Sequence, residues 1–128
     1  MQRRDQTSLL DIIEQIRVIR EHMIGISYEE FLGDVLRQDA LVRRIEVIGE
    51  AATRLSSAFR DAHSEVEWRD IREMRNFLIH VYDKIDYEKV WDTVQHDLTP
   101  LLNSVERILA EDASSSASEE KHDAINSD

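Results

Sequence analysis

The chain has 128 residues, no cysteine, one proline and three glycines; 34% of its side chains are charged and 6% are aromatic. That length suffices for one domain with a core of its own, and the lack of cysteine excludes a disulfide scaffold, a thiol nucleophile and a thiolate zinc site. The net charge of −11 is split: from Glu111 onward six carboxylates face Lys121 alone, which leaves −6 on residues 1–110, too acidic a body to coat nucleic acid nonspecifically.

Abundant Leu, Ile, Val, Ala, Glu and Arg beside so few Gly and Pro predict helices. Residues 8–24 place Leu9, Ile12, Ile13, Ile16, Ile19 and Met23 at helical spacing, with Gly25 as the stop. Ser27-Tyr28-Glu29-Glu30 has the Ser-x-x-Glu capping-box form and opens a short helix carrying Phe31 and Leu32, after which Gly33-Asp34 turns the chain. A long helix over 35–59 follows, with Leu41, Ile45, Ile48, Ala52 and Leu55 as its apolar stripe. Gly49 inside that stripe costs ~1 kcal/mol relative to Ala, which marks a close helix contact. Residues 61–67 read as a polar connection.

The next helix spans 68–82 and is broken by Asp83-Lys84-Ile85-Asp86, with Asp86 capping the last helix. In that last helix Trp91, Val94, Leu98, Leu101, Val105 and Ile108 alternate three- and four-residue spacings, as a bundle seam does, and Pro100 predicts a kink. Residues 111–128, rich in Ser and acid, read as a disordered tail. No apolar run approaches the ~18 residues of a membrane span, and the N-terminus leads into an amphipathic segment and not a signal-peptide core. The expectation is a soluble, cytoplasmic, all-α domain: an up-and-down bundle of four to five helices over residues 1–110.

The chemistry concentrates in residues 69–83. At ~100° per residue, Ile71, Met74, Phe77, Leu78 and Val81 fall in one arc of roughly 120° that faces the bundle. Arg72, Arg75, Asn76, His80, Tyr82 and Asp83 fall on the opposite half, with Ile79 as an apolar intruder among them. Arg75 and His80 stand about 140° apart around the axis and ~7.5 Å apart along it, so one helix struggles to bring both onto one phosphate. Two copies facing each other across a groove do so easily, which suggests a dimer. Asn76, four residues before His80, is placed to orient the imidazole.

Arg75-Asn76-Phe77-Leu78-Ile79-His80-Val81-Tyr82 has the Arg-x4-His-x-Tyr form of the HEPN superfamily and resembles its HepT-like branch. A bare Arg-x4-His occurs by chance in many helices. The match gains specificity from Tyr82, from Ile48-Gly49-Glu50-Ala51-Ala52 upstream, and from Asp97-Leu98-Thr99-Pro100-Leu101 downstream. The resemblance covers roughly residues 5–110. It implies a homodimer whose Arg75 and His80 line a cleft at the dimer interface and act as a metal-independent endoribonuclease. It also implies the toxin half of a toxin–antitoxin module, with an MntA-like minimal nucleotidyltransferase as partner and antitoxin. In such pairs AMP is transferred to the motif tyrosine, here Tyr82. The RNA substrate would be messenger or transfer RNA.

These residue types suit that chemistry. RNA supplies its own nucleophile in the 2′-hydroxyl, so cleavage needs proton transfer and phosphate stabilisation. His80, with a reference pKa near ~6.5, shuttles protons at neutral pH, and Arg75 binds the phosphate. Taken without the resemblance, Arg75 is an ion-paired surface residue, His80 a helix-face histidine, and Tyr82 a ring packed at a helix end. Glu50 pairs with Arg54 at four-residue spacing for about 0.2–0.5 kcal/mol, and Arg43 and Arg44 are solvated helix charges. His22, His63, His96 and His122 form no metal-ligand set, and there is no glycine-rich phosphate loop. No metal and no cofactor are expected. Two other classes of function stay open: a noncatalytic HEPN module that binds RNA or nucleotide or docks a nucleotidyltransferase, and a helical interaction module in which the motif is residual.

Overall fold

The computed structural model describes residues 1–76 and 85–126, with 116–126 as backbone. The first helix, α1 (Arg3–Met23), carries Leu9, Ile12, Ile16 and Ile19 three or four residues apart, so they form one stripe, and all four are buried. That stripe packs against α3 (Val35–Thr53) and α7 (Leu98–Asn126). Ile45, Ile48, Leu98, Val105 and Ile108 complete the shared core, each contributing about 1.5–3 kcal/mol on burial. The described residues hold helices and no strand, so the expected all-α bundle is what forms. None of the described helices is long and apolar enough to cross a membrane.

Helix ends follow their side chains. Gly25, at φ 77°, supplies the left-handed turn that ends α1. Ser27 caps the short α2 (Tyr28–Leu32): its Oγ accepts from the Glu30 amide at 3.1 Å and donates to the Glu30 carboxylate at 3.1 Å. Asp34 caps α3 by accepting from the Arg37 amide at 3.0 Å, a bond that holds its carboxyl below the usual range. Asp86 caps α6 (Tyr87–Asp92) through the Lys89 amide. Phe31 is fully buried between Tyr28, Tyr87 and Trp91, and this aromatic cluster ties α2 to α6.

Three segments differ from the sequence pattern. The helix expected over 35–59 divides at 54–56, and α4 (Ser57–Ala62) starts afresh from a Ser56 cap. The cause is remote in sequence: buried Asp5 accepts from the Ser56 amide at 2.7 Å and from its hydroxyl at 2.8 Å. The same contact orders the first turn of α1, which therefore begins at Arg3 and not at residue 8. Of the helix expected over 68–82, the described part is α-helical in α5 (Trp68–Glu73) and tightens to a 3₁₀ turn over Met74–Asn76, while residues 77–82 lie outside the described residues. Finally, α7 runs on to Asn126 through the stretch expected to be a disordered tail. Ala, Glu and Lys favour helix there. The first turn past residue 110 is also tied down, with the N-terminal ammonium 3.1 Å from Asp112 and Arg107 3.9 Å from Glu111.

A π turn over Thr93–Asp97 joins α6 to α7 where the sequence predicts a kink. The ring of Pro100 faces the carbonyl of residue 96, and widening the helix there accommodates it. Beyond the turn, Leu102, four residues after Leu98 and three before Val105, joins Val94, Leu98, Leu101 and Val105 in the core.

Candidate active site

Two anchors fix α5. At its start Trp68 packs against Phe59, ring centroids 5.7 Å apart and planes tilted by 58°, and donates its indole N–H to the His63 carbonyl at 2.9 Å. At its end the backbone of Met74 and Arg75 lies directly on α3 at Gly49. A Cβ added to Gly49 would sit 2.2 Å from the Arg75 nitrogen, 2.8 Å from the Met74 carbonyl carbon and 2.9 Å from the Arg75 Cα. Only glycine admits that approach, so the glycine read from the sequence as a close helix contact is the seat of the candidate arginine.

From this seat the Arg75 side chain is exposed and reaches toward the C-terminal end of α3. Its Nη1 lies 3.5 Å from Thr53 Oγ1, and Thr53 in turn donates to the Gly49 carbonyl at 2.9 Å. Among the described residues Arg75 has no ion pair. Arg17, Arg37, Arg43, Arg54 and Arg107 each have at least one, whereas seven other arginines, like Arg75, have none among the described residues. Asn76 is exposed at the end of the 3₁₀ turn. Ile71 and Met74 are buried, as the predicted arc requires, while Phe77, Leu78, Ile79, His80, Val81, Tyr82 and Asp83 lie outside the described residues. The uniform 100° step used above stops at Glu73, because a 3₁₀ turn advances ~120° per residue. Arg72 is half-buried, and its Nε has no hydrogen-bond partner among the described residues.

The α3 face beside the site carries Arg43, Glu46 and Glu50. Glu50 pairs with Arg43 at 3.2 Å and not with Arg54, which reaches Asp11 at 3.1 Å instead. Partial burial pushes the Glu46 carboxyl above the usual range; Arg43 opposes that push and Glu50 adds to it. Arg44 is held by Gln15 at 2.8 Å. His22 and His96 lie against backbone carbonyls of their own helices, and His63 sits 3.6 Å from Glu65. Among the described residues no three His, Asp or Glu side chains come together as a metal site.

A groove of about 700 Å³ opens between α5 and the α6–α7 pair, walled by Glu65, Glu67, Asp70, Glu73 and Asp97 against Lys89 and His96. Its carboxylates repel phosphate, whereas the Arg75 guanidinium offers donors and a positive charge with no ion-pair partner among the described residues.

Residues 12–108 match the family described as Ribonuclease HepT-like. The chain belongs to that family. It is 37% identical over 108 residues to a probable ribonuclease HepT of Thermococcus cleftensis, covering 84% of this chain and 98% of the relative. It is 38% identical over 98 residues to a putative RNase of Caldanaerobacter subterraneus subsp. tengcongensis, covering 77% and 88%. A putative RNase of Methanocaldococcus jannaschii is 35% identical over 107 residues, covering 83% and 98%. No solved structure matches the chain. The HepT-like match runs from within α1 to Ile108, a fully buried residue of α7, and so includes Gly49, Thr53 and Arg75.

Proposed function

We propose that this HepT-like protein is a metal-independent endoribonuclease, the toxin of a toxin–antitoxin pair, acting in the cytoplasm as a homodimer. The observation that carries this reading is the family match across residues 12–108 to relatives named as ribonucleases. An exposed arginine without an ion pair among the described residues, seated on a glycine contact, agrees with it. The working unit is residues 1–110, with 111–128 dispensable for cleavage.

In this mechanism the ribose 2′-oxygen attacks the adjacent phosphorus. The 2′-O–P bond forms as the P–O5′ bond breaks, leaving a 2′,3′-cyclic phosphate and a 5′-hydroxyl. His80 moves the proton, Arg75 holds the phosphate oxygens as their charge grows, and Asn76 supports His80. Neutralisation follows from chemistry at Tyr82. Its phenol oxygen attacks the α-phosphorus of ATP on an MntA-like nucleotidyltransferase, pyrophosphate leaves, and the resulting AMP diester brings a negative charge and bulk beside Arg75.

The test is cleavage of total cellular RNA in EDTA by wild type, Arg75→Ala and His80→Ala, with intact mass recorded to exclude prior adenylylation. Cleavage by wild type alone, with all three proteins equally helical, is the expected result. RNA binding without turnover by unmodified wild type would refute it in favour of a noncatalytic module, a reading the acidic body also fits.

A further inference from the structure

We propose that Thr53 is a positioning residue for Arg75, aiming the guanidinium without neutralising it; this deepens the function proposed above and rests on Arg75 binding phosphate. The last turn of α3 sets the geometry. Thr53 donates its hydroxyl proton to the Gly49 carbonyl one turn back at 2.9 Å, and its β-branch leaves few rotamers, so the oxygen has a fixed place. With the proton committed, only lone pairs remain, and among the described residues Arg75 Nη1 donates to them at 3.5 Å. Gly49 takes part twice. Its missing side chain seats the Arg75 backbone, and its carbonyl orients the hydroxyl that the Arg75 side chain meets.

A neutral acceptor suits this task. A carboxylate in the same place would pair with the guanidinium and compete with phosphate. The hydroxyl engages one of five donors and keeps the full charge for the ligand.

The experiment compares wild type, Thr53→Val, Thr53→Ser and Arg75→Ala as full-length proteins. Steady-state RNA cleavage is measured beside the NMR signal of the Arg75 side-chain Nε–H, which needs no activity. Thr53→Val keeps the shape and removes the acceptor. It should lower kcat about 3- to 10-fold with KM changed less than about 2-fold, the range for one long, solvent-exposed hydrogen bond. It should also broaden or shift the Arg75 signal, and Thr53→Ser should restore both. Wild-type kcat in Thr53→Val, or equal losses in the Val and Ser variants, would overturn the role of Thr53 while Arg75→Ala stays inactive. A kcat loss with an unchanged Arg75 signal would overturn it too. Full activity in Arg75→Ala would instead refute the assignment of Arg75 itself.

Discussion

Replacing Gly49 by Ala tests whether α3 seats the candidate site. The new Cβ would lie 2.2 Å from the Arg75 nitrogen and under 3.0 Å from the Met74 carbonyl carbon and the Arg75 Cα, all of them backbone atoms. Carbon atoms rest about 3.5–4.0 Å apart, so the 3₁₀ turn must retreat by roughly an ångström. Overpacking of this kind costs about 1–3 kcal/mol, and the gain in helix propensity returns ~1 kcal/mol. A net loss of up to about 2 kcal/mol lowers Tm by up to roughly 10 °C. The site should suffer more than the fold, because a shift of about 1 Å in a substrate-positioning group can cost ~100-fold in rate. Urea unfolding, thermal melting and RNA cleavage at one protein concentration measure both effects. Gly33→Ala is the control, since its added Cβ meets only carbonyl oxygens at 3.7 and 3.8 Å. A Gly49→Ala protein as stable and as active as wild type would refute the contact.

Asp5→Ala removes both acceptors from Ser56 and should cost about 2–3 kcal/mol in urea unfolding, as bonds to a partly buried charge do; a loss under about 0.5 kcal/mol would show that the α3–α4 break is held by something else. Glu46→Gln tests the raised carboxyl. An acid whose folded pKa lies above its unfolded value favours folding below its ordinary range, and that contribution is lost as pH climbs through the raised value. The variant should therefore melt higher than wild type near about pH 7 and gain nothing near about pH 3.5. A variant less stable than wild type at the higher pH would contradict the burial penalty.

Local features of the fold were legible because they are written in neighbouring residues. The Ser27–Glu30 cap, the Gly25 stop, the Asp86 cap and the α1 stripe each depend on side chains within a turn or two of one another. The break at 54–56 was not legible, because 51 residues separate Asp5 from the Ser56 it holds. Leu55 and Phe59 continue the apolar stripe of α3 across the break and both are buried, so periodicity reads through it. The site was legible as a motif and not as geometry. Arg75 could be named from its spacing, and Gly49 flagged as a close approach, but nothing in the sequence pairs the two. Thr53 carried no signal at all: a threonine in the last turn of a helix is common, and its meaning comes from the arginine packed beside it.

The site also depends on where α5 draws its stability. A six-residue helix is far below the ~12–15 residues at which isolated helices become marginal, so α5 stands only through its contacts. Those contacts are Trp68 on Phe59 and His63 at one end, Met74–Arg75 on Gly49 at the other, and Ile71 buried in the core between them. The position of Arg75 is thus set by α3 and α4 more than by its own helix. Meanwhile the main core of α1, α3 and α7 is built chiefly from their own residues, such as Ile12, Ile45 and Val105, and the 3₁₀ turn adds Met74 to it. Changes confined to the Gly49 or Trp68 contacts should therefore disturb the arginine while most of the bundle persists. A substitution in that central core should instead lower stability and activity together.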